Sequence, residues 1–459
     1  MSVHMSSTSR VSSFICASCL RTLGQARRPR LPASLVSSTA ASSTAPPRTN
    51  PAASRRNVRS FLTSRPVPHT SQSTALRRSF ATDLTPSSSL RPATRGLAPL
   101  PNRRLISLSG PDAAKFLQGL VTNNVDSNRQ SPFFSAFLDA RGRVLWDVFI
   151  WTYPELSAKE WACYIEVDAA EVEALGKHLK KHKLRSKIAI KTVDENGIGV
   201  YSAWGFSQEE LQDQSLIASL EDPRAPGFGI RCLFRGNGDL SGAVKPPFPT
   251  LDPLQYTLRR YLFGIPEGQS EIPRESALPM ECNVDLSDGI DFRKGCYVGQ
   301  ELTIRTKHTG VVRKRVLPVQ LYHDDDPVPQ NDEEPTFEPA FDQLVAPGSD
   351  IKQLDREGTI KKGRAAGKLI GNIGNVGLAL CRLEMMTSMR VSAEGGSWRP
   401  GVQFGLQRSD GSDAQPVRIK ALIPRWFRER EKALWDNSKG RTGVRSERAT
   451  ALNSPSPIS

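Results

Sequence analysis

Residues 291–301 read DFRKGCYVGQE, and this stretch holds one cysteine, Cys296, between two glycines that stand four positions apart. Because glycine adopts backbone conformations that other residues avoid, Gly295 and Gly299 predict a tight turn in which the backbone closely approaches a neighbouring group. Lys294 lies two positions before the cysteine, and a nearby cation favours the thiolate, the nucleophilic and metal-binding form of cysteine. The stretch therefore predicts an exposed, activated thiol.

The alternative for Cys296 is an ordinary buried cysteine at a turn, which is the common environment of this residue type. The neighbouring residues argue against burial, because four of them carry polar or charged groups: Lys294, Tyr297, Gln300 and Glu301. We therefore take Cys296, with Lys294 beside it, as the candidate reactive centre.

The other six of the seven cysteines do not form a recognisable framework. Cys16 and Cys19 form a CxxC pair, which is typical of redox or zinc sites, but they lie in a segment that we expect to be removed. The rest are scattered without regular spacing: Cys163, Cys232, Cys282 and Cys381. We expect these to be free thiols, mostly buried, in a reducing compartment.

The first hundred residues contain 14 Arg, no Lys and a single acid, Asp83, and so carry +13 of the chain's net charge of +15. A segment rich in Arg and Ser and almost free of acid, with short apolar clusters, is typical of a mitochondrial transit peptide. We predict that residues 1–95 are a transit peptide with a disordered segment and that the mature protein resides in the mitochondrial matrix. The alternative is a disordered basic tail that binds RNA or lipid.

The charge and the hydropathy of the remaining chain argue against two classes of partner. Residues 101–459 carry a net charge of only +2, whereas nucleic-acid binding requires clustered surplus cations on the folded surface. No uninterrupted apolar stretch approaches the roughly 20 residues of a membrane-spanning helix. We therefore expect neither a nucleic-acid partner nor membrane insertion.

Hydrophobic periodicity between residues 105 and 190 predicts alternating strands and helices. Four segments carry it: a strand at 105–108 followed by a helix, a hairpin formed by 133–138 and 144–151, a strand at 163–167, and a helix containing Val172, Leu175 and Leu179 before a strand at 188–190. This order predicts an α+β domain built from ferredoxin-like β-α-β-β halves.

The second half of the chain is less regular. Residues 221–253, rich in Pro and Gly, predict a loop or insertion, and residues 255–262 predict a helix. The acidic, proline-containing tract at 321–343 predicts a solvated linker or insertion. Short apolar strands with Gly-rich turns predict a small β-barrel over 344–435, and we expect a disordered tail over 436–459.

Several motifs together resemble the YgfZ/GcvT-related family of iron–sulfur assembly proteins. The most specific is KGCYVGQE at 294–301, which contains the signature residues Gly295, Tyr297, Gly299, Gln300 and Glu301 and continues to Lys314 and Arg315. Supporting matches are FLQGLVTN at 116–123, GRVL at 142–145, Arg260 and GIPEG at 264–268. The resemblance covers about residues 100–319; Cys282 departs from the family pattern, and we do not assign it as a ligand.

The resemblance implies a GcvT-like multi-lobed fold around a central cavity, with residues 96–320 as a folate-binding-type α+β domain and a C-terminal β-barrel. It also implies a role in making mitochondrial [4Fe-4S] proteins from [2Fe-2S] units, together with A-type iron–sulfur carrier proteins. A cluster normally needs four thiolate or imidazole ligands, and the folded part offers one conspicuous thiol. We therefore expect a transient cluster for which Cys296 supplies one ligand and the partner supplies the others.

The rival hypothesis is a folate-dependent aminomethyltransferase, because tetrahydrofolate binding is a property of the wider superfamily. On this hypothesis Asp147 is the candidate folate-binding residue, since an acid there would orient a folate amine or accept its proton. The alternative for Asp147 is a satisfied carboxylate on a strand. The transferases lack the cysteine signature, so its presence favours the assembly role.

A basic stretch follows the signature. It contains Arg305, Lys307, Arg313, Lys314 and Arg315. Such a cluster would suit the acidic tail of a folate or an acidic partner surface, and an ordinary solvated face is an equal alternative. His308 is a candidate ligand or base, but a single histidine in polar surroundings is more often simply hydrated.

Overall fold

The computed structural model describes residues 90–153, 160–211, 213–236, 240, 247–392, 396–409 and 415–435. The predicted transit peptide up to residue 89, with Cys16 and Cys19, and the predicted tail over 436–459 lie outside the described residues. In the part of the chain that is described, no helix is long and apolar enough to cross a membrane.

The described chain alternates strands with short helices. In chain order the strands are β1 (Gly96–Pro99), β2 (Arg103–Ser109), β3 (Phe133–Leu138), β4 (Val144–Thr152), β5 (Ala162–Asp168), β6 (Ala189–Thr192), β7 (Ile198–Trp204), β8 (Leu216–Glu221), β9 (Ile230–Arg235), β10 (Lys314–Tyr322), β11 (Asp350–Gln353), β12 (Gly367–Ile373), β13 (Val376–Arg382), β14 (Phe404–Leu406) and β15 (Val417–Ala421). The helices are α1 (Ala113–Gln118), α2 (Val172–Lys183), α3 (Pro253–Phe263), α4 (Gln300–Thr309), α5 (Leu383–Met386) and α6 (residues 425–435). The predicted α+β class is confirmed.

The first sheet is antiparallel and has five strands in the order β3-β4-β5-β2-β6. Its strands and the β3–β4 hairpin confirm the predictions from periodicity. Asp139 stabilises the hairpin turn, because its Oδ1 accepts hydrogen bonds from the backbone N–H groups of Arg141 (2.9 Å) and Arg143 (2.8 Å). The apolar stripe of α2 joins the core on one face of this sheet.

The second sheet has four strands in the order β1-β7-β9-β8. The prediction of a loop over 221–253 is wrong at Ile230–Arg235, because β9 pairs there with both β7 and β8. Arg231 obscures this strand in the sequence, since arginine is usually exposed, but here its guanidinium is buried in ion pairs. The two sheets share one core, to which β4 contributes Phe149 and β9 contributes Leu233.

The third unit is a closed barrel in the order β10-β13-β12-β11-β14-β15. The predicted C-terminal β-barrel is therefore confirmed, but it begins at β10 and not at residue 344. β10 pairs with β13 on one side and with β15 on the other. The sequence did not indicate this boundary, because barrel closure pairs strands that stand far apart in the chain. Such pairing leaves no local sequence pattern.

Residues 323–349, here called the acidic strap, connect β10 to β11 and pack against the barrel. Phe341 is buried in the barrel core, so the prediction of a solvated segment over 321–343 is wrong at this residue. Val345, within the range predicted as barrel, is buried in the same core. Three ion pairs hold the acidic residues: Asp324 with Arg418, Asp332 with Lys420 (2.7 Å) and Glu333 with Arg428 (3.2 Å). The strap therefore covers the β15 side of the barrel.

His178 on α2 should make stability depend on pH. Its ring centroid lies 5.2 Å from that of Trp146 and 4.2 Å from that of His182. Burial, and then the positive charges around it, lower the pKa of His178 from 6.5 to about 4. The unfolded chain binds a proton below pH 6.5 that the folded chain does not, so the free energy of unfolding should fall as the pH decreases from 6.5 towards 4.

We expect the decrease in the free energy of unfolding between pH 7 and pH 5 to be about 1 kcal/mol smaller in His178→Gln than in wild type. The difference is modest because solvent screens part of the effect at a partly buried ring. Urea unfolding at pH 7 and at pH 5 would measure it, with exposed His308→Gln as the control. An unchanged difference between the two pH values in His178→Gln would contradict this assignment.

Candidate functional site

The signature loop, residues 291–299, lies against residues 116–123, so two motifs that are far apart in the sequence meet. Three hydrogen bonds join the loop and its flank to that segment: Asp291 N to Thr122 O (3.1 Å), Val298 N to Gly119 O (3.1 Å) and Thr122 Oγ1 to Gly289 O (2.6 Å). The loop is therefore held in place at both ends.

Lys294 anchors the middle of the loop. Its ammonium donates to three backbone carbonyl oxygens, those of Gln118 (2.8 Å), Val121 (2.6 Å) and Asn123 (2.8 Å). Because an ammonium has three N–H donors, these bonds use them all, and none is left to donate to a Cys296 thiolate. Burial lowers the pKa of Lys294 to about 7, whereas the carbonyl acceptors favour the charged form. The structure thus gives Lys294 an anchoring role.

The two glycines of the signature differ in their surroundings. Gly299 precedes α4 with a φ of +79°, and a Cβ there would lie 2.2 Å from the carbonyl oxygen of Asp139 in the β3–β4 turn. Gly142 in that turn has a φ of +78°, and its Cβ would lie 2.8 Å from Cβ of Leu302 on α4. A Cβ on Gly295 would meet nothing within 4 Å. The predicted close approach is therefore confirmed at Gly299 and absent at Gly295.

Cys296 is exposed, whereas the other cysteines of the described chain are buried: Cys163, Cys232, Cys282 and Cys381. Burial raises the pKa of the Cys232 thiol to about 12 and that of the other three buried thiols still further. Among the described residues, no group of three or more His, Cys, Asp or Glu is placed to hold a metal ion. Cys296 thus offers a single accessible thiol.

The remaining signature residues shape the backbone around that thiol. Tyr297 is buried in the core between the two sheets, and Lys294 Nζ lies 4.9 Å from its ring centroid. Gln300 Oε1 accepts a hydrogen bond from the backbone N–H of Tyr297 (3.2 Å). Glu301 is exposed on the first turn of α4. Tyr297 and Gln300 therefore hold the turn, and Glu301 faces solvent beside it.

The far end of α4 is covered by α6, a contact that sequence reasoning missed. Lys307 Nζ donates to the carbonyl oxygen of Leu434 (2.6 Å) and lies 4.4 Å from the ring centroid of Trp435 and 5.0 Å from that of Phe292. Phe292 belongs to the signature loop, so the barrel's final helix braces the loop through this lysine. The apolar pair Leu434 and Trp435 in a polar C-terminal region was the available signal.

The basic stretch after the signature separates into exposed and paired residues. Arg305, His308 and Arg313 are exposed. Arg315 is fully buried and makes two hydrogen bonds of 2.8 Å to the carboxylate of Asp285. Lys314 pairs with Glu281 at 2.9 Å. The stretch therefore does not form one cationic face, because its residues alternate between the surface and the core.

Asp147 lies in a buried charge cluster between the two sheets. Its Oδ2 accepts from Arg103 Nη1 (3.1 Å), its Oδ1 accepts from Gly268 N (3.1 Å), and its side chain is completely buried. The cluster consists of Arg103, Asp147, Glu166, Asp222, Arg224, Arg231, Tyr256 and Glu267. Sequence reasoning singled out only Asp147 from this set as a site residue.

Mutual pairing determines the charges inside this cluster. Burial opposes ionisation of Glu166, but Arg231 and Arg103 outweigh it and lower the pKa of that carboxyl group. Burial also acts to raise the pKa of Glu267, but Arg231 and Arg224 outweigh it and hold the pKa of that carboxyl group well below its usual range. At Asp147 burial prevails and raises the pKa. The cluster therefore contains firmly ionised carboxylates that depend on their arginine partners.

The residues at Asp147 do not fit the proposed folate ligand. A folate amine would need a carboxylate oxygen with a free acceptor position and space beside it. Each oxygen of Asp147 accepts one hydrogen bond and retains a second acceptor position, but the carboxylate and nearly all side chains of the cluster are buried, so a folate could not reach it. We therefore derive no reaction step through a folate.

Comparisons with known proteins concern both the barrel and the whole chain. The family model described as CAF17, C-terminal beta-barrel domain, matches residues 313–429, which agrees with the start of β10. The chain is 51% identical over 367 residues to a Phaeosphaeria nodorum protein named iron-sulfur cluster assembly factor IBA57 homolog, mitochondrial, covering 79% of this chain and 86% of that protein. A Neosartorya fischeri protein of the same name is 43% identical over 387 residues, covering 76% and 85%.

The chain is also similar to a protein of known structure. It is the glycine cleavage system aminomethyltransferase T from Bartonella henselae, with a TM-score of 0.49 and 12% sequence identity, covering 73% of this chain and 86% of that one.

Proposed function

The chain belongs to the IBA57 family of mitochondrial iron–sulfur cluster assembly factors, and on that premise we propose that it acts in the matrix when [2Fe-2S] clusters are converted to [4Fe-4S] clusters. In this proposal the cluster is cargo, carried by an A-type iron–sulfur carrier protein. Cys296 supplies one thiolate ligand while both proteins hold the cluster.

The exposure of Cys296 carries this proposal. A partner's iron must reach the sulfur, and Cys296 is exposed while the other cysteines in the described chain are buried. Clusters are held by several thiolate or imidazole ligands, so a single thiol acts only together with ligands from a partner. Shared ligation suits transfer, because the cluster leaves when the two proteins separate.

The surrounding residues position the thiol. Lys294 fixes the loop through three carbonyl groups, and the bond from Val298 N to Gly119 O fixes the backbone two residues after the cysteine. Iron binding requires the thiolate, so ligation releases the thiol proton to solvent. A rigid, exposed loop limits the ordering cost that the complex must meet when it forms.

We expect Cys296→Ser to abolish the spectral change that follows when the full chain is mixed with an A-type carrier loaded with a [2Fe-2S] cluster. The physical reason is loss of a soft thiolate ligand from an exposed position. Visible absorbance and electron paramagnetic resonance of wild type and variant would measure it.

Unfolding provides the control for Cys296→Ser, since an exposed substitution away from packed features should change the free energy of unfolding by no more than about 0.5 kcal/mol. The same cluster spectrum with Cys296→Ser as with wild type would remove the ligand role.

A further inference from the structure

A small apolar pocket opens between α4 and the start of β10. Its volume is about 140 Å³, and its apolar lining consists of Leu278, Pro279, Met280, Leu302, Val311 and Val312. A dry apolar cavity of about 150 Å³ accommodates benzene, so this pocket has room for one aromatic or branched side chain. A larger pocket of about 300 Å³ lies beside β2 and β7, and none of its lining residues belongs to the segments that hold Cys296.

Cations outnumber acids around the smaller pocket. Arg313 and Lys314 line it, and Lys314 stands opposite Arg382 in the β10–β13 pairing. Three cations, Arg313, Lys314 and Arg382, therefore lie at or beside the pocket.

Two carboxylates lie in this region, and both already have an ion-pair or hydrogen-bond partner. Glu281 pairs with Lys314 at 2.9 Å. Glu384 accepts hydrogen bonds from the backbone N–H groups of Val391 (3.0 Å) and Ser392 (2.7 Å). Arg313 lines the pocket and is exposed, so its charge, although it also acts on Glu384, remains accessible to an incoming group.

We infer that this pocket is the docking site for an acidic segment of the cluster-carrying partner, which inserts one apolar side chain and places a carboxylate against Arg313. The inference rests on the proposed function, because the partner is the carrier whose cluster reaches Cys296. Charged residues at the edge of an interface mainly steer association, whereas a filled central pocket supplies affinity.

The pocket lies at a useful distance from the thiol. Thr303 and Thr306 line the pocket and belong to α4, which begins at Gln300, shortly after Cys296. A helix rises about 1.5 Å per residue, so Gln300 and Thr306 are separated by about 9 Å along its axis. A partner segment seated here would therefore hold the remainder of that protein close to the signature loop.

Charge disfavours the chain's own C-terminal segment as the occupant. Residues 436–459 contain four cations, Lys439, Arg441, Arg445 and Arg448, against two acids, Asp436 and Glu447. A basic segment would be repelled by Arg313. An acidic partner is complementary to it.

The test uses the full chain and the metal-free A-type carrier, with affinity measured by isothermal titration calorimetry at low and high salt. Thr306→Phe fills the pocket, and its matched control, Thr309→Phe, stands on the exposed side of the same helix. Arg313→Glu reverses one charge at the pocket, and its matched control is Lys180→Glu, exposed on α2. We expect each pocket variant to weaken binding at least about tenfold and each control less than twofold.

Three results would overturn the inference. The first is wild-type affinity in both pocket variants, and the second is an equal loss in Lys180→Glu and Arg313→Glu. The third combines two changes: deletion of residues 436–459 tightens binding, and Thr306→Phe abolishes this gain. That result would assign the pocket to the chain's own segment.

Cys296→Ser separates this inference from the proposed function. It should bind the metal-free carrier as wild type does while losing the cluster spectrum. Normal spectra with normal binding in the pocket variants would refute only the docking site. No binding of the carrier to wild type in any state would refute the proposed partner and this surface together.

Discussion

Replacement of Arg231 by methionine is expected to lower the free energy of unfolding by about 3–5 kcal/mol, because it leaves buried carboxylates unpaired. Arg231 Nε lies 3.1 and 3.0 Å from the two carboxylate oxygens of Glu166, and Arg231 Nη1 lies 3.0 Å from Glu267 Oε2. The total stability of a folded domain is about 5–15 kcal/mol, so this one change would remove a large part of it. Guanidinium chloride unfolding at pH 7 measures the effect.

The matched control is Arg235→Met, at the exposed end of the same strand, where we expect a change within about 0.5 kcal/mol. A second comparison combines Arg231→Met with Glu166→Gln. The double variant should lose less stability than the sum of the two single losses, because the neutral side chain of Glu166→Gln needs no arginine partner. Equal costs for Arg231→Met and Arg235→Met would show that the cluster contributes no such pairing energy.

The same cluster predicts the acid limit of stability. The pKa of Glu166 lies below its ordinary value of 4.5 in the folded chain. Its contribution is therefore fully present above about pH 4.5 and is lost as the pH falls through the folded-state pKa.

Gly299→Ala is the second substitution for which we expect a large effect, a loss of about 2–4 kcal/mol in the free energy of unfolding. An alanine at a φ of +79° is strained, and its Cβ would lie 2.2 Å from Asp139 O, which is backbone and cannot move aside as a side chain could. The loop must therefore shift or the hairpin must open. Denaturant unfolding would measure the loss, and the rate of Cys296 alkylation would report the displaced thiol.

Gly295→Ala is the control for this prediction. Its Cβ meets nothing within 4 Å, and replacing a permissive glycine by alanine at a compatible position gains about 0.4–1 kcal/mol from the unfolded state. We therefore expect neutral or slightly raised stability. Similar losses in both variants would mean that the close contact between Gly299 and the hairpin does not determine the loop position.

The sequence supported the hairpin, the amphipathic helix α2 and the barrel because each leaves a periodic local pattern. It could not distinguish Gly295 from Gly299, since both are glycines beside the same cysteine and only the packing of the β3–β4 turn separates them. The meeting of residues 116–123 with the signature loop was also invisible, because no local pattern records contacts between distant segments.

The buried charge cluster escaped prediction for a different physical reason. A charged residue in a strand usually faces solvent, so the sequence predicts that Glu166 and Arg231 are exposed. In β5 the residues Cys163, Ile165 and Val167 pack on one face, and Glu166 belongs to the opposite face, which the second sheet covers. The Glu166 carboxylate of the first sheet and the Arg231 guanidinium of the second compensate each other's charge. Only the packed fold reveals this pairing.

The bracing of Lys307 by Leu434 and Trp435 has a consequence for the timing of biosynthesis. The amino-terminal part of a protein emerges first from the ribosome, yet the loop that carries Cys296 contacts residues near the end of the described chain. A product that stops before residue 434 would therefore leave the ribosome without this brace on the loop. Completion of synthesis as far as Trp435 is thus a condition for the fully braced loop.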